Sequence, residues 1–169
     1  MKINKIIALC GYADSGKTTT LKKLAKLLLT KGAVMGDKRG LWIFKGASSK
    51  RNHAGKAALD SKKGDVIIVI EINGRIIVII TCGDKDDVAA HVKEVLEGIL
   101  GNETFDMIVA IRKSDGKPKK LKQNYNRIFG VQPICLFKPK LRYWEQIDAQ
   151  DKDALDNYWV GRLCDLVGI

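Results

Sequence analysis

Gly11-Tyr12-Ala13-Asp14-Ser15-Gly16-Lys17-Thr18 decides how the rest of this chain is read. The stretch satisfies G-x-x-x-x-G-K-[ST] at each fixed position, follows the apolar run from Ile6 to Leu9 and opens a helical pattern. That is the setting in which this spacing cradles phosphate. Glycines let the backbone curl until several N–H groups point inward, and the N-terminal end of the next helix adds partial positive charge. In such a loop the backbone of Ala13, Asp14, Ser15, Gly16, Lys17 and Thr18, with Thr19 beyond it, would hold the phosphates. Lys17 would reach the β and γ phosphates and the Thr18 hydroxyl would hold magnesium.

Outward from the loop, strand and helix patterns alternate. Residues 3–9 read as a buried strand and 16–31 as a helix with Leu21, Leu24, Ala25, Leu27 and Leu28 toward one face, stopped by Gly32. A short strand is expected at 41–45. The Gly-, Ser-, Ala- and Lys-rich stretch 46–64 has no sustained apolar period and reads as a basic loop or lid. Residues 65–73 and 74–81 form a hairpin on Asn73-Gly74, and their unbroken Ile and Val imply strands covered on both faces. A helix follows with Val88, Val92, Val95, Leu96 and Ile99 at helical spacing, then a strand at 105–111. A helix from Pro118 carries Leu121, Tyr125, Ile128 and Phe129 to Gly130. A strand over 131–137 comes next, and the last helix, 151–166, puts Leu155, Tyr158, Trp159, Arg162, Leu163 and Leu166 in register. Parallel neighbours need helical crossovers, so this order predicts an α/β fold: three layers around a mainly parallel sheet with one antiparallel hairpin strand.

At 169 residues the chain is expected to be a single domain, 1–169, able to bury about 70% of its unfolded surface. Residues 1–5 run straight into the first strand without an apolar signal region, so a cytoplasmic location is expected. The most apolar stretch, 66–81, contains Glu71, Asn73, Gly74 and Arg75, which fits a hairpin and excludes a membrane span there. Cys10, Cys82, Cys135 and Cys164 are scattered without a C-x-x-C pair, as expected of buried thiols rather than a zinc or redox site.

The formal net charge is +11, and its placement carries the information. The expected topology puts three basic loops on the rim that holds the Gly11–Thr18 turn. The first has Lys45, Lys50, Arg51, Lys56, Lys62 and Lys63. The second has Arg112, Lys113, Lys117, Lys119, Lys120 and Lys122, and the third Lys138, Lys140 and Arg142. A second anionic partner is expected there, either a phosphorylated substrate clamped by Arg51, Arg112 or Lys113 or a nucleic-acid backbone. Trp42, Phe44, His53 and Tyr125 could stack on bases, or be core. The same topology sends Glu71 to the far end of the sheet and brings Asp84 and Asp65 to the ligand end. Asp84 is the first candidate for the magnesium carboxylate, with a plain helix N-cap as its other reading, and Asp37 a further candidate.

Residues 11–29 resemble the phosphate-loop NTPase superfamily, which includes nucleoside and nucleotide kinases and small GTPases. The resemblance implies the three-layer fold of that superfamily and nucleotide phosphate binding, without fixing the reaction. The order of loop, helix, long connection, hairpin and Gly-Asp corner is similar to the small GTPases, but the corner reads Thr81-Cys82-Gly83-Asp84. Arg112-Lys113-Ser114-Asp115 is the nearest match to a guanine-reading Asn-Lys-x-Asp, and Arg112 replaces its Asn. ATP is therefore favoured over GTP. The wider chain resembles small bacterial or phage phosphate-loop proteins of ATPase or kinase type. The expected function is ATP binding with magnesium-dependent phosphoryl transfer, Lys17 and Asp84 being catalytic and ATP hydrolysis the minimum. The alternatives are a kinase for a small nucleoside- or nucleotide-type acceptor, a nucleotide-gated nucleic-acid-binding module and a GTPase-like switch.

Overall fold

Strands that are apolar on both faces need cover on both sides, and four helices among the described residues supply it here. The computed structural model describes residues 1–12, 15–35, 41–44, 52–54, 59–60, 65–82, 86–112, 118–139 and 146–169. In chain order they form β1 (Lys2–Gly11), α1 (Lys17–Thr30), β2 (Leu41–Phe44), β3 (Asn52–Ala54), β4 (Asp65–Ile72) and β5 (Arg75–Ile80). Then come α2 (Asp86–Leu100), β6 (Thr104–Arg112), α3 (Pro118–Phe129), β7 (Ile134–Phe137) and α4 (Ala149–Val167). The strands make one seven-stranded sheet in the order β3-β2-β4-β5-β6-β1-β7.

Alternate residues of each central strand feed two separate cores, as period-two side chains must. Ile7, Leu9, Ile68, Ile70, Ile77, Ile79 and Ile108 pack with Leu21, Leu24 and Leu28 of α1 and with Val160 and Leu163 of α4. Ile6, Ala8, Ile67, Val69, Val78, Ile80, Met107 and Val109 pack with Val92 and Leu96 of α2 and Tyr125 of α3 on the other side. The protein is thus an α/β fold with helices on both faces of a mixed sheet. Among the described residues, no helix is long and apolar enough to cross a membrane.

The hairpin forms as its turn chemistry dictates: Asn73 has φ +50° and Gly74 φ +71°, the two positive values that a tight I′ turn needs. β5 runs parallel to β6 and β6 parallel to β1, so this turn lies at the amino end of β1. Glu71 goes with it, its N–H donating to Val34 O at 3.0 Å and its carbonyl accepting from Val34 N at 2.8 Å.

Several expectations need correction. Two strands, β3 and β4, run against the other five, where one was expected. β3 falls inside the 46–64 stretch read as loop; at three residues it shows no alternation and exists by pairing with β2. On α4 the buried residues are Asp156, Val160, Leu163, Cys164 and Val167, a stripe offset by about one residue from the expected one. Tyr158 is consequently exposed. The offset follows from burying a charged residue, Asp156, that a hydrophobic pattern assigns to solvent. Cys82 and Cys164 are buried as expected, but Cys135 on β7 is exposed.

α4 is fastened at both ends. Asp148 Oδ1 accepts from Asp151 N at 2.8 Å as the N-cap. At the other end Arg75 donates to Val167 O at 2.7 Å and Gly168 O at 3.2 Å, and Lys5 Nζ to Leu166 O at 2.8 Å. Cations are favourable at this negative pole of the helix. Arg75 also bonds Asp106 Oδ2 at 2.6 Å, and Asn4 donates to Asp106 Oδ1 at 2.8 Å, which satisfies a carboxylate that is otherwise buried.

Candidate functional site

The direction in which each parallel strand hands on its chain locates a crevice. β5 and β6 lead to α2 and α3 on one face, whereas β1 leads to α1 and the chain beyond β7 to α4 on the other. The sense therefore reverses between the neighbours β6 and β1. In open α/β sheets ligands bind outside the carboxyl ends of strands at such a reversal. The residues at that edge are Gly11 on β1 and Arg112 on β6, which are register partners.

The two glycines of the loop are fixed by its shape. A Cβ on Gly11 would lie 2.6 Å from Lys138 O and 2.7 Å from Ser15 Oγ, closer than real Cβ atoms come. Gly16 has φ +76° and precedes α1 as its N-cap, with no side chain capping the helix and no acidic residue in its first turn. The amide dipoles at that end keep their positive character. Lys17 is buried and folds back over the loop, where its Nζ donates to Tyr12 O at 2.6 Å, Gly11 O at 3.0 Å and Ser15 Oγ at 3.3 Å. Three oxygens among the described residues thus hold the ammonium above the turn.

Beneath the turn lies a charged cluster that sequence reasoning missed. Lys138, which directly follows β7, is fully buried and donates to Thr20 Oγ1 at 2.7 Å and to Asp156 Oδ1. The Thr20 hydroxyl sits 2.6 Å from Asp156 Oδ1 and 3.1 Å from Gly16 O. Lys138 N also donates to Cys10 O at 2.7 Å. Burial pushes the Lys138 ammonium pKa down, and the bond to Asp156 opposes that shift. A buried pair of this sort stabilises little by itself, but losing one partner costs heavily. It joins the start of α1, the end of β7 and the middle of α4 directly below Gly16. The rim assignment of Lys138 is therefore wrong: its charge faces inward. No local pattern marks it, because Lys138 and Asp156 meet only through tertiary contact.

Thr18 is half-buried and Thr19 exposed in the first turn of α1. Both line a cleft of about 360 Å³ along that helix with Lys22, Lys23, Lys26, Leu59, Asp60 and Asp153. Ion pairs Lys23–Asp153 and Lys26–Asp60 brace its walls. Burial lowers the Lys22 pKa despite the nearby Asp65 carboxylate. Asp65 lies at the carboxyl edge as expected, accepting from Thr81 Oγ1 at 3.4 Å. β5 is separated from β1 by β6, so the corner that begins at Thr81 starts about 10 Å from β1, two strand spacings. Ala13, Asp14, Asp37, Arg51, Asp84 and Lys113 lie outside the described residues. Arg112 is exposed at the crevice, whereas Tyr125, a candidate stacking surface, is fully buried in the core.

Compared with known proteins, the chain matches no family model, no curated protein and no solved structure.

Proposed function

We propose that this protein binds a nucleoside triphosphate, ATP before GTP, on the Gly11–Thr18 loop and catalyses magnesium-dependent phosphoryl transfer, with ATP hydrolysis as the minimum activity. The observation that carries the reading is the buried Lys17 ammonium, held by Gly11 O, Tyr12 O and Ser15 Oγ at the crevice edge. An ammonium stored on carbonyl oxygens can exchange them for phosphate oxygens without leaving the loop, and it then opposes charge developing on the transferring group. The loop amides and the open end of α1 bind and orient the phosphates.

The Thr18 hydroxyl suits magnesium, which takes hard oxygen ligands and uses one or two from protein beside those of the phosphates. Bound there, the ion would neutralise charge between the β and γ phosphates. Asp84 remains the proposed carboxylate for ordering the metal's waters. Arg112 supports a kinase as the second reading, since its register with Gly11 puts a cation where an anionic acceptor would approach.

Thermal unfolding with magnesium and ATP tests the proposal. At about 100 times its dissociation constant a ligand adds about 2.7 kcal/mol, which for a chain of this size raises the melting temperature by about 5–11 °C. Lys17→Ala also loses three hydrogen bonds, so the readout is the ATP-induced rise above each variant's own baseline. The rise should vanish in Lys17→Ala. If it persists undiminished, or is absent from the unaltered protein, the proposal fails.

A further inference from the structure

An aromatic ring offers a large apolar face on which a flat partner can stack. Tyr12 is 36% exposed although it belongs to the loop itself, and Phe137, at the end of β7, is 44% exposed. Their rings meet edge to face with centroids 6.1 Å apart. Phe137 is the register partner of Cys10, so the pair sits at the carboxyl edge of β1 on its β7 side. The crevice with Arg112 is on the opposite, β6 side of β1. The Tyr12 carbonyl, moreover, accepts from the Lys17 ammonium at 2.6 Å, which ties the residue to the phosphate end of the site.

From this placement we infer that Tyr12 and Phe137 form the stacking platform for the base of a bound nucleoside triphosphate. The inference rests on the nucleotide reading above. A nucleotide anchored on the loop with its terminal phosphate toward Arg112 carries its base to the other side of β1, where the two rings stand. A ring face recognises any base by its π-surface, and hydrogen-bond readout is what separates one base from another. The ligand class is therefore a nucleoside triphosphate selected for having a base, and the platform itself adds nothing to the preference for ATP over GTP.

Calorimetric titration of the whole protein with ATP and with inorganic tripolyphosphate, each with magnesium, separates the base from the phosphates. The base should improve affinity about 5- to 150-fold over tripolyphosphate. In Phe137→Ala and Tyr12→Ala that ratio should fall toward one, while Phe137→Tyr and Tyr12→Phe should keep it. Because the ratio is taken within each variant, a general loosening of the loop cancels. An unchanged ratio in both alanine variants overturns the platform, as does equal affinity for the two ligands in the unaltered protein. In either case tripolyphosphate binding that Lys17→Ala abolishes leaves the phosphate reading standing. Failure of both ligands to bind overturns both.

Discussion

Replacing Gly11 by alanine adds one methyl group at a glycine with no room for it. The new Cβ would meet the Lys138 carbonyl at 2.6 Å and Ser15 Oγ at 2.7 Å. Ser15 could rotate, but the carbonyl belongs to backbone that is doubly held: Lys138 N donates to Cys10 O, and the Lys138 side chain is buried against Thr20 and Asp156. Relief requires parting β1 from the chain after β7 by a few tenths of an ångström or more. Overpacking of this sort costs about 1–3 kcal/mol. With about 2–4 °C per kcal/mol for a chain of this length, the expected loss is about 2–12 °C in melting temperature. The controls are Gly98→Ala in α2 and Gly161→Ala in α4, where a Cβ would meet nothing within 4 Å. The same chemical change should there raise stability by about 0.4–1 kcal/mol, because alanine restricts the unfolded chain more than glycine does. Differential scanning calorimetry on the three variants reads both signs. A Gly11→Ala protein that melts with, or above, the controls would refute the close approach of Lys138 to the loop.

The buried pair gives a second prediction: Lys138→Met strands the Asp156 carboxylate and should cost about 3–5 kcal/mol in urea unfolding, with Lys138→Met/Asp156→Leu recovering most of it. Burial holds the Lys138 pKa below its ordinary 10.5. Between that lowered folded value and 10.5 the unfolded chain binds more protons, so this group makes stability rise with pH across that window. Stability curves of the unaltered protein and Lys138→Met that run parallel there would exclude the effect. At the opposite end of the sheet, Arg75→Met leaves Asp106 with Asn4 and removes two carbonyl contacts from the end of α4. We expect a loss of about 2–3 kcal/mol, accompanied by faster hydrogen exchange at the last turn of α4; unchanged exchange would argue against the fastening.

How much could be read without coordinates depended on how local each feature is. Loop glycines, the Asn73-Gly74 turn, the unbroken Ile and Val of β4 and β5 and the apolar spacing of α1 and α2 are all set by residues within one or two turns of one another. The sequence therefore determined the turn from Gly11 into α1, the hairpin and the alternation of strand and helix. Strand order was not legible in that way, because β1 could pair with any partner of suitable polarity. The tertiary structure chose β6 and β7, and that choice set Arg112 beside Gly11 and Phe137 beside Tyr12. It also turned Lys138 from an expected surface cation into the partner of Asp156, 18 residues further along. Local periodicity records which residues avoid water, whereas the pairing of buried charges and the meeting of strand ends depend on distant parts of the chain brought together only by folding.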